Sequence, residues 1–305
     1  MPIDKKSLVI GTRGSALARW QSSWVKTRLE SLWPDLEVRL EIFTTSGDRI
    51  LDKPLPEIGG KGLFTEELER ALLEGGIDAA VHSLKDLPVE NPAGLVVGAI
   101  PERADARDVF ISSRYATLAE LPPGAKVGTS SLRRGAQLLM LRADLELLPL
   151  RGNVDTRIGK AMAGDYDAIV LAAAGVTRLG RSGDISSFLE FSDMLPAPGQ
   201  GALGIQCREG DAGSLALLAA LDHGPTRAAV LAERSFLLGL GGGCSAPVAS
   251  LAKVAADGSI AVEGLVASPD GKLSVRVSGR GAEPLALGKR LAEEAMAKGA
   301  KAILG

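Results

Sequence analysis

The chain has 305 residues, more than one hydrophobic core organises well, so two or three domains are expected. Apolar residues make up 46% and aromatic ones only 4%, which calls for aliphatic, alanine-rich cores. The balance of 35 basic against 37 acidic residues, a formal charge of −2, excludes a generic nucleic-acid or membrane-surface binder.

Residues 8–10 read as a first strand, followed by Gly11-Thr12-Arg13-Gly14-Ser15. Helical spacing then runs through Leu17, Trp20, Trp24, Val25, Leu29 and Leu32 until Pro34 ends it. Val38, Leu40 and Ile42 alternate with charged neighbours, the pattern of a half-buried strand. A flexible loop, Gly59-Gly60-Lys61-Gly62, leads into a helix over residues 64–74. A short apolar strand over 77–81 follows. It ends in Val81-His82-Ser83-Leu84-Lys85-Asp86-Leu87-Pro88, a turn that sets Lys85 beside Asp86 before Pro88 stops the segment. Ligands of open α/β sheets bind beyond the carboxyl ends of strands, so this turn is either solvated or ligand-facing. A strand over 95–100 completes a first α/β unit.

The second unit has strands over 109–111, 126–128, 145–150 and 168–171, with helices over 131–142 and 154–163. The Pro- and Gly-rich stretch 195–202 reads as a hinge, followed by a strand over 204–207 and helices over 215–221 and 227–238. Three strands, over 248–254, 260–266 and 273–277, and a last helix over 285–298 suggest a small α+β domain. Ile10-Gly11-Thr12 and Val127-Gly128-Thr129 share one pattern of strand, Gly-Thr turn and helix start. That echo is either chance or the mark of two similar domains, each offering a helix N-terminus to an anion across a cleft.

Thr129, Ser130 and Ser131 supply hydroxyls, and Arg133 and Arg134 guanidiniums, at one strand exit. Arg151-Gly152-Asn153 with Arg157 repeats the theme at the next, and Arg178 at the one after. Arginine rather than lysine at three successive exits favours planar carboxylate or phosphate recognition. No Gly-x-x-x-x-Gly-Lys-[Ser/Thr] is present, so a nucleoside triphosphate is the weaker guess. Cys207 in an apolar strand reads as a core filler. Cys244, in a loop with Gly241, Gly242 and Gly243, is either a small residue tolerated in a turn or a reactive thiol. No base stands beside it, so an ordinary thiol protease is not indicated. Two cysteines make no disulfide framework, and His82 and His223 lie too far apart to suggest a metal site. With no export signal and no apolar run approaching ~18 residues, a soluble cytoplasmic protein is expected.

These residues resemble the porphobilinogen deaminase (hydroxymethylbilane synthase) family along most of the chain. The motifs run in one order from Gly11-Thr12-Arg13-x-Ser15, Gly59-Gly60-Lys61-Gly62-Leu63-Phe64 and Val81-His82-Ser83-Leu84-Lys85-Asp86 to Pro101-Glu102-Arg103. They continue through Gly128-Thr129-Ser130-Ser131-Leu132-Arg133-Arg134, Leu150-Arg151-Gly152-Asn153, Gly199-Gln200-Gly201-Ala202 and Glu233-Arg234 to Gly242-Gly243-Cys244. Gly241 departs from the family, where Glu is frequent, and so does Ala246, where a larger apolar residue is usual.

With that resemblance, the expected fold is two similar doubly wound α/β domains around a cleft, periplasmic-binding-protein-like, plus a small α+β C-terminal domain. Residues 1–101 with 202–219 would form the first domain, 105–195 the second and 224–305 the third. The resemblance implies head-to-tail condensation of four porphobilinogen molecules, with loss of ammonia, on a dipyrromethane primer. A thioether would join that primer to Cys244, and hydrolysis would release hydroxymethylbilane. Asp86 would be catalytic. Ser83, Lys85, Asp86, Thr129, Ser130, Ser131, Arg133, Arg134 and Gly152 would hold the primer. Arg13, Ser15, Lys61, Arg151, Asn153, Arg157, Arg178 and Gln200 would hold the substrate. No metal is expected, and the chain is expected to be a monomer. The competing class is a two-domain anion-binding protein, which explains the arginines but neither Asp86 nor Cys244.

Overall fold

The computed structural model describes residues 5–45, 47, 65–241 and 247–305. The loop containing Lys61 and the stretch containing Cys244 lie outside them. The chain divides into two compact units, Met1–Arg103 with Ala202–Arg227 and Ala104–Gly201 with Ala228–Gly305.

In the first unit, strand β1 (Ser7–Arg13) is buried on both faces, with Leu8 and Ile10 in one apolar cluster and Val9 in another. That is the signature of a sheet covered on both sides. Helix α1 (Ala16–Leu32) supplies Val25 and Leu29 to the first cluster, and α2 (Glu66–Leu73) supplies Leu68 and Leu72 to the second. Ser15 starts α1 by accepting the Ala18 N–H at 3.2 Å. Strands β2 (Glu37–Phe43) and β3 (Ala79–Ser83) flank β1 in parallel. The order is β2-β1-β3-β10-β4, in which β10 (Leu203–Arg208) returns from far along the chain, antiparallel to β3 and to β4 (Leu95–Ala99). Helix α6 (Ala212–Ala219), which follows β10, adds Leu217 and Leu218 to the α1 side.

The second unit repeats this plan. Its sheet has the order β7-β6-β8-β5-β9, with β6 (Lys126–Gly128) parallel to β7 (Glu146–Leu148) and β8 (Ala168–Ala172). Strand β5 (Asp108–Ile111) is antiparallel to β8 and to β9 (Ser187–Leu189). Ile10 pairs with Ala79, and Val127 pairs with Ala168. The Gly-Thr echo therefore marks corresponding positions in two sheets of one topology. Helices α3 (Leu132–Leu141), α4 (Val154–Met162) and α5 (Ala173–Arg178) follow β6, β7 and β8 in turn.

The same unit carries an antiparallel sheet, β11 (Val248–Val254), β12 (Ile260–Ala267) and β13 (Ser274–Gly281). Helices α7 (Gly224–Gly239) and α8 (Pro284–Ala295) accompany it. Phe236 of α7 lies so close to β12 that a Cβ at Gly264 would stand 2.5 Å from its ring, so the strand admits only glycine there. Ala249, Leu251 and Leu265 pack with Ala106 and Leu195. The expected α+β segment is present, with its three strands and last helix.

Three expectations shift in detail. Strand β3 runs to Ser83, two residues beyond the predicted end, because its pairing with β10 carries through the polar His82 and Ser83. Strand β7 is shorter than the predicted 145–150. Strand β9 was not anticipated, because three residues at a sheet edge carry almost no periodicity. Among the described residues no helix is long and apolar enough to cross a membrane.

Candidate active site

Strands β1 and β3 are parallel neighbours, so their carboxyl ends open on one edge of the first sheet. Beyond β3, Leu84–Asp86 form a single 3₁₀ turn. Leu84 and Leu87, three residues apart, fall on the same side of such a turn and are 1% and 2% exposed. The Leu84 N–H donates to Ala202 O at 3.0 Å, and the Leu87 N–H donates to Leu84 O at 3.2 Å. Gly204 makes room for this anchor, since a Cβ there would stand 2.9 Å from Leu84 Cδ1. With both leucines held inside, Lys85 is half-buried and Asp86 is exposed. The Leu-Lys-Asp-Leu spacing is what presents the carboxylate.

Arg13, Ser15, Ser83 and Asp86 line one small depression together with Gln21, Thr65 and His82. Four predicted residues thus come together within a single unit. Gln21, buried on α1, fixes one of them by donating from Nε2 to Ser83 Oγ at 2.9 Å.

In the sequence, His82 is only one of two histidines too distant to suggest a metal site. Burial pushes its imidazole down to about 4, a poorly aligned contact with Gln206 pulls it partly back up, and the nearby Arg13 lowers it further. Gln206 lies two residues beyond the pairing partner of His82 and donates to Glu69 Oε1 at 3.3 Å. The ring is therefore neutral at physiological pH. Because the unfolded imidazole titrates near 6.5, protonation favours the unfolded chain. Stability from this site is full above about pH 6.5 and declines as pH falls toward 4, by up to about 3 kcal/mol. We expect the wild-type urea midpoint to fall more steeply between pH 6.5 and 4.5 than that of His82→Gln. Parallel pH dependences would contradict the assignment.

In the second unit, Ser131 caps α3 by accepting the Arg134 N–H at 3.4 Å, as Ser15 caps α1. Thr129 Oγ1 accepts the Ser131 N–H at 3.2 Å. Ser130 Oγ donates to Leu150 O at 3.0 Å and accepts the Leu150 N–H at 2.9 Å, tying this turn to the exit of β7. Arg133 and Arg134, read from the sequence as anion-binding guanidiniums, are buried around Asp108. Arg133 Nη1 lies 2.8 Å from Asp108 Oδ2, and Arg134 Nη2 lies 2.8 Å from Oδ1. Burial alone would raise the Asp108 carboxyl, but the two guanidiniums overcome it and hold it well below the usual carboxylate range. Gln200 is fully buried in the same cluster, donating to Ala106 O at 2.8 Å and to Asp108 Oδ1 at 3.0 Å.

After β7, Gly152 adopts a φ of 110°, which favours glycine, and its carbonyl accepts from Arg157 Nε at 2.7 Å. Arg151 and Gly152 are half-buried, and Asn153 is exposed at the N-cap of α4. Arg178 ends α5 and donates from Nη2 to Gly201 O at 2.8 Å. Burial brings it down to about 10, still cationic at neutral pH. Asp108, Gln21 and Thr65 are the residues that sequence reading missed. None belongs to a run of like residues, and each gains meaning only from neighbours distant in sequence.

Residues 8–216 match the family model described as "Porphobilinogen deaminase, dipyromethane cofactor binding domain". Residues 227–297 match "Porphobilinogen deaminase, C-terminal domain". Among similar proteins, the porphobilinogen deaminase of Brevibacillus brevis is 51% identical over 295 residues, covering 97% of this chain and 96% of the relative. That of Nitratidesulfovibrio vulgaris (strain DP4) is 52% identical over 302 residues, covering 98% and 96%. Among solved structures, the methionine binding protein MetQ aligns at 15% identity with a TM-score of 0.44, covering 73% of this chain and 93% of that one. An ABC transporter periplasmic substrate-binding protein from Coxiella burnetii aligns at 18% identity with a TM-score of 0.44, covering 74% and 94%. With both family models matched in order and half of all residues shared with relatives over nearly their whole length, the chain belongs to the porphobilinogen deaminase family.

Proposed function

We propose that this chain condenses four porphobilinogen molecules head to tail, each with loss of ammonia, onto a covalently attached dipyrromethane primer, and releases hydroxymethylbilane by hydrolysis. The observation that carries this reading is the exposed Asp86 carboxylate at a depression it shares with Arg13, Ser15 and Ser83. Within the second unit, two arginines against one carboxylate leave a net positive charge, and Arg133 Nε is buried without an acceptor. That donor set suits a ligand bearing carboxylates, as a dipyrromethane does.

The primer supplies the nucleophilic pyrrole carbon. Asp86 acts on the substrate. As the aminomethyl C–N bond breaks, its electron pair leaves with nitrogen, and a cation spreads over the methylene and the pyrrole ring. The carboxylate accepts the pyrrole N–H and stabilises that charge, and it relays a proton toward the departing amine. Lys85, half-buried beside Asp86, orients it or takes a primer carboxylate. Cys244 holds the primer through a thioether that resists hydrolysis while the product is cut away. Ser83, Thr129, Ser130, Ser131, Arg133, Arg134 and Gly152 serve the primer. Arg13, Ser15, Lys61, Arg151, Asn153, Arg157 and Arg178 serve the substrate, with Gln200 supporting from its buried position. In this reading three domains, 1–101 with 202–219, 105–195 and 224–305, carry Asp86, the arginines and Cys244 respectively. The enzyme is a cytoplasmic monomer.

Intact mass of the acid-denatured protein, with ammonia counted against porphobilinogen consumed, tests the reading. The expected result is an acid-stable adduct of two pyrrole units and one ammonia per substrate. A bare chain that binds porphobilinogen without releasing ammonia would instead fit a two-domain anion-binding protein.

A further inference from the structure

Two guanidiniums and one carboxylate share a place in the second unit from which water is nearly shut out. Asp108 is 0% exposed, and Arg133 and Arg134 are each 6% exposed. Topology puts the acid there. Strand β5 runs antiparallel to β8, so its first residue, Asp108, pairs with the last residue of β8, Ala172. In the first unit the matching strand pair sets Leu203 beside Ser83. The shared fold therefore accepts a leucine at this point, and the acid answers to something other than the sheet.

Asp108 Oδ1 carries the hydrogen bonds, and Oδ2 is held only by an ion pair. Oδ1 accepts from Arg134 Nε at 3.1 Å, Arg134 Nη2 at 2.8 Å and Gln200 Nε2 at 3.0 Å, while Oδ2 meets Arg133 Nη1 at 2.8 Å. Arg133 is further committed, donating from Nη1 to Leu195 O at 2.6 Å and from Nη2 to Gln200 Oε1 at 3.5 Å. Arg134 differs. Asp108 takes its Nε and Nη2, and among the described residues Nη1 has no acceptor. The two arginines, adjacent in sequence, thus have unlike roles. Arg133 gives both terminal nitrogens to the protein and keeps only its buried Nε without an acceptor, while Arg134 keeps one N–H₂ edge for a ligand.

We propose that Asp108 is a positioning residue of the primer site, fixing Arg133 as a brace and turning Arg134 so that Nη1 meets a primer carboxylate. This rests on the function proposed above. It also separates orientation from charge. Removing the acid makes the site more positive, so attraction alone predicts equal or better primer loading. Loss of orientation predicts worse loading, because two unpaired guanidiniums in a dry site repel each other and part.

The test is the fraction of purified chains that carry the primer, read by intact mass after denaturation, alongside the melting temperature. Asp108→Asn is expected to load roughly ten- to a hundredfold less than wild type, the loss of one charge-assisted contact, and Asp108→Glu to regain most of it. The double variant Asp108→Asn/Arg133→Gln restores the net charge without the carboxylate and is expected to melt near wild type yet stay poorly loaded. Wild-type loading in Asp108→Asn or in the double variant would overturn the proposal. If Asp108→Asn fails to fold, the double variant and Asp108→Glu decide it by the same readings. A wild-type protein without any adduct would sink the proposed function instead.

Discussion

Asp86→Asn is expected to lose close to three decades of turnover while keeping its fold and its primer. The side chains are nearly isosteric, and the turn is held by Leu84 and Leu87 rather than by the carboxylate, so geometry survives while charge does not. A carboxylate ~4 Å from a developing cation, at an effective dielectric of about 20, contributes about 4 kcal/mol. That energy is worth nearly a thousandfold in rate. Asp86→Glu, charged but misplaced by one methylene, should fall between Asn and wild type. Product formation under saturating substrate checks the order, and intact mass checks the primer. Turnover of the Asn variant within tenfold of wild type would show that the charge is not what stabilises the cation.

Cys244→Ser is expected to abolish stable attachment of the primer, because an ether would have to form from a far weaker nucleophile. The other cysteine cannot substitute. Cys207 is fully buried on β10, and burial pushes its thiol up to about 11. A Cβ at Gly98 would stand 2.8 Å from its sulfur, a measure of how closely it is packed. Denatured mass should therefore show a bare chain for Cys244→Ser and an intact adduct for Cys207→Ala. An adduct that persists on the serine variant would remove Cys244 from its role.

Much of the fold was readable because local pattern and tertiary use agree. The 3.6-residue spacing from Leu17 to Leu32 became α1, although only Val25 and Leu29 of that face are buried and Trp20 and Leu32 are exposed, and the Gly-Thr echo became two sheets of one strand order. What could not be read depends on long crossings. Strand β10 enters the first sheet from beyond residue 200, and only its pairing shows that β3 runs on through His82 and Ser83. Asp108 lay just outside the strand read over 109–111. Its partners lie 25 and 26 residues on, at the start of α3, where the sequence pointed to guanidiniums for an anionic ligand. The Lys85-Asp86 pair was legible as a turn closing a strand, but the reason Asp86 faces outward, two buried leucines three residues apart, needed the packing.

The central claim is that chain growth takes place on a covalent anchor, with Asp86 at the reacting end and arginines holding carboxylates whichever ring carries them. The most direct measurement mixes the enzyme with a few equivalents of porphobilinogen, quenches in acid and reads intact masses. The account predicts a ladder on the protein itself, each step one substrate less one ammonia. It also predicts that Arg178→Ala piles up at a particular step, because each chain length presents its carboxylates to different arginines. Free short oligomers beside unchanged holoenzyme, with no ladder on the protein, would contradict it.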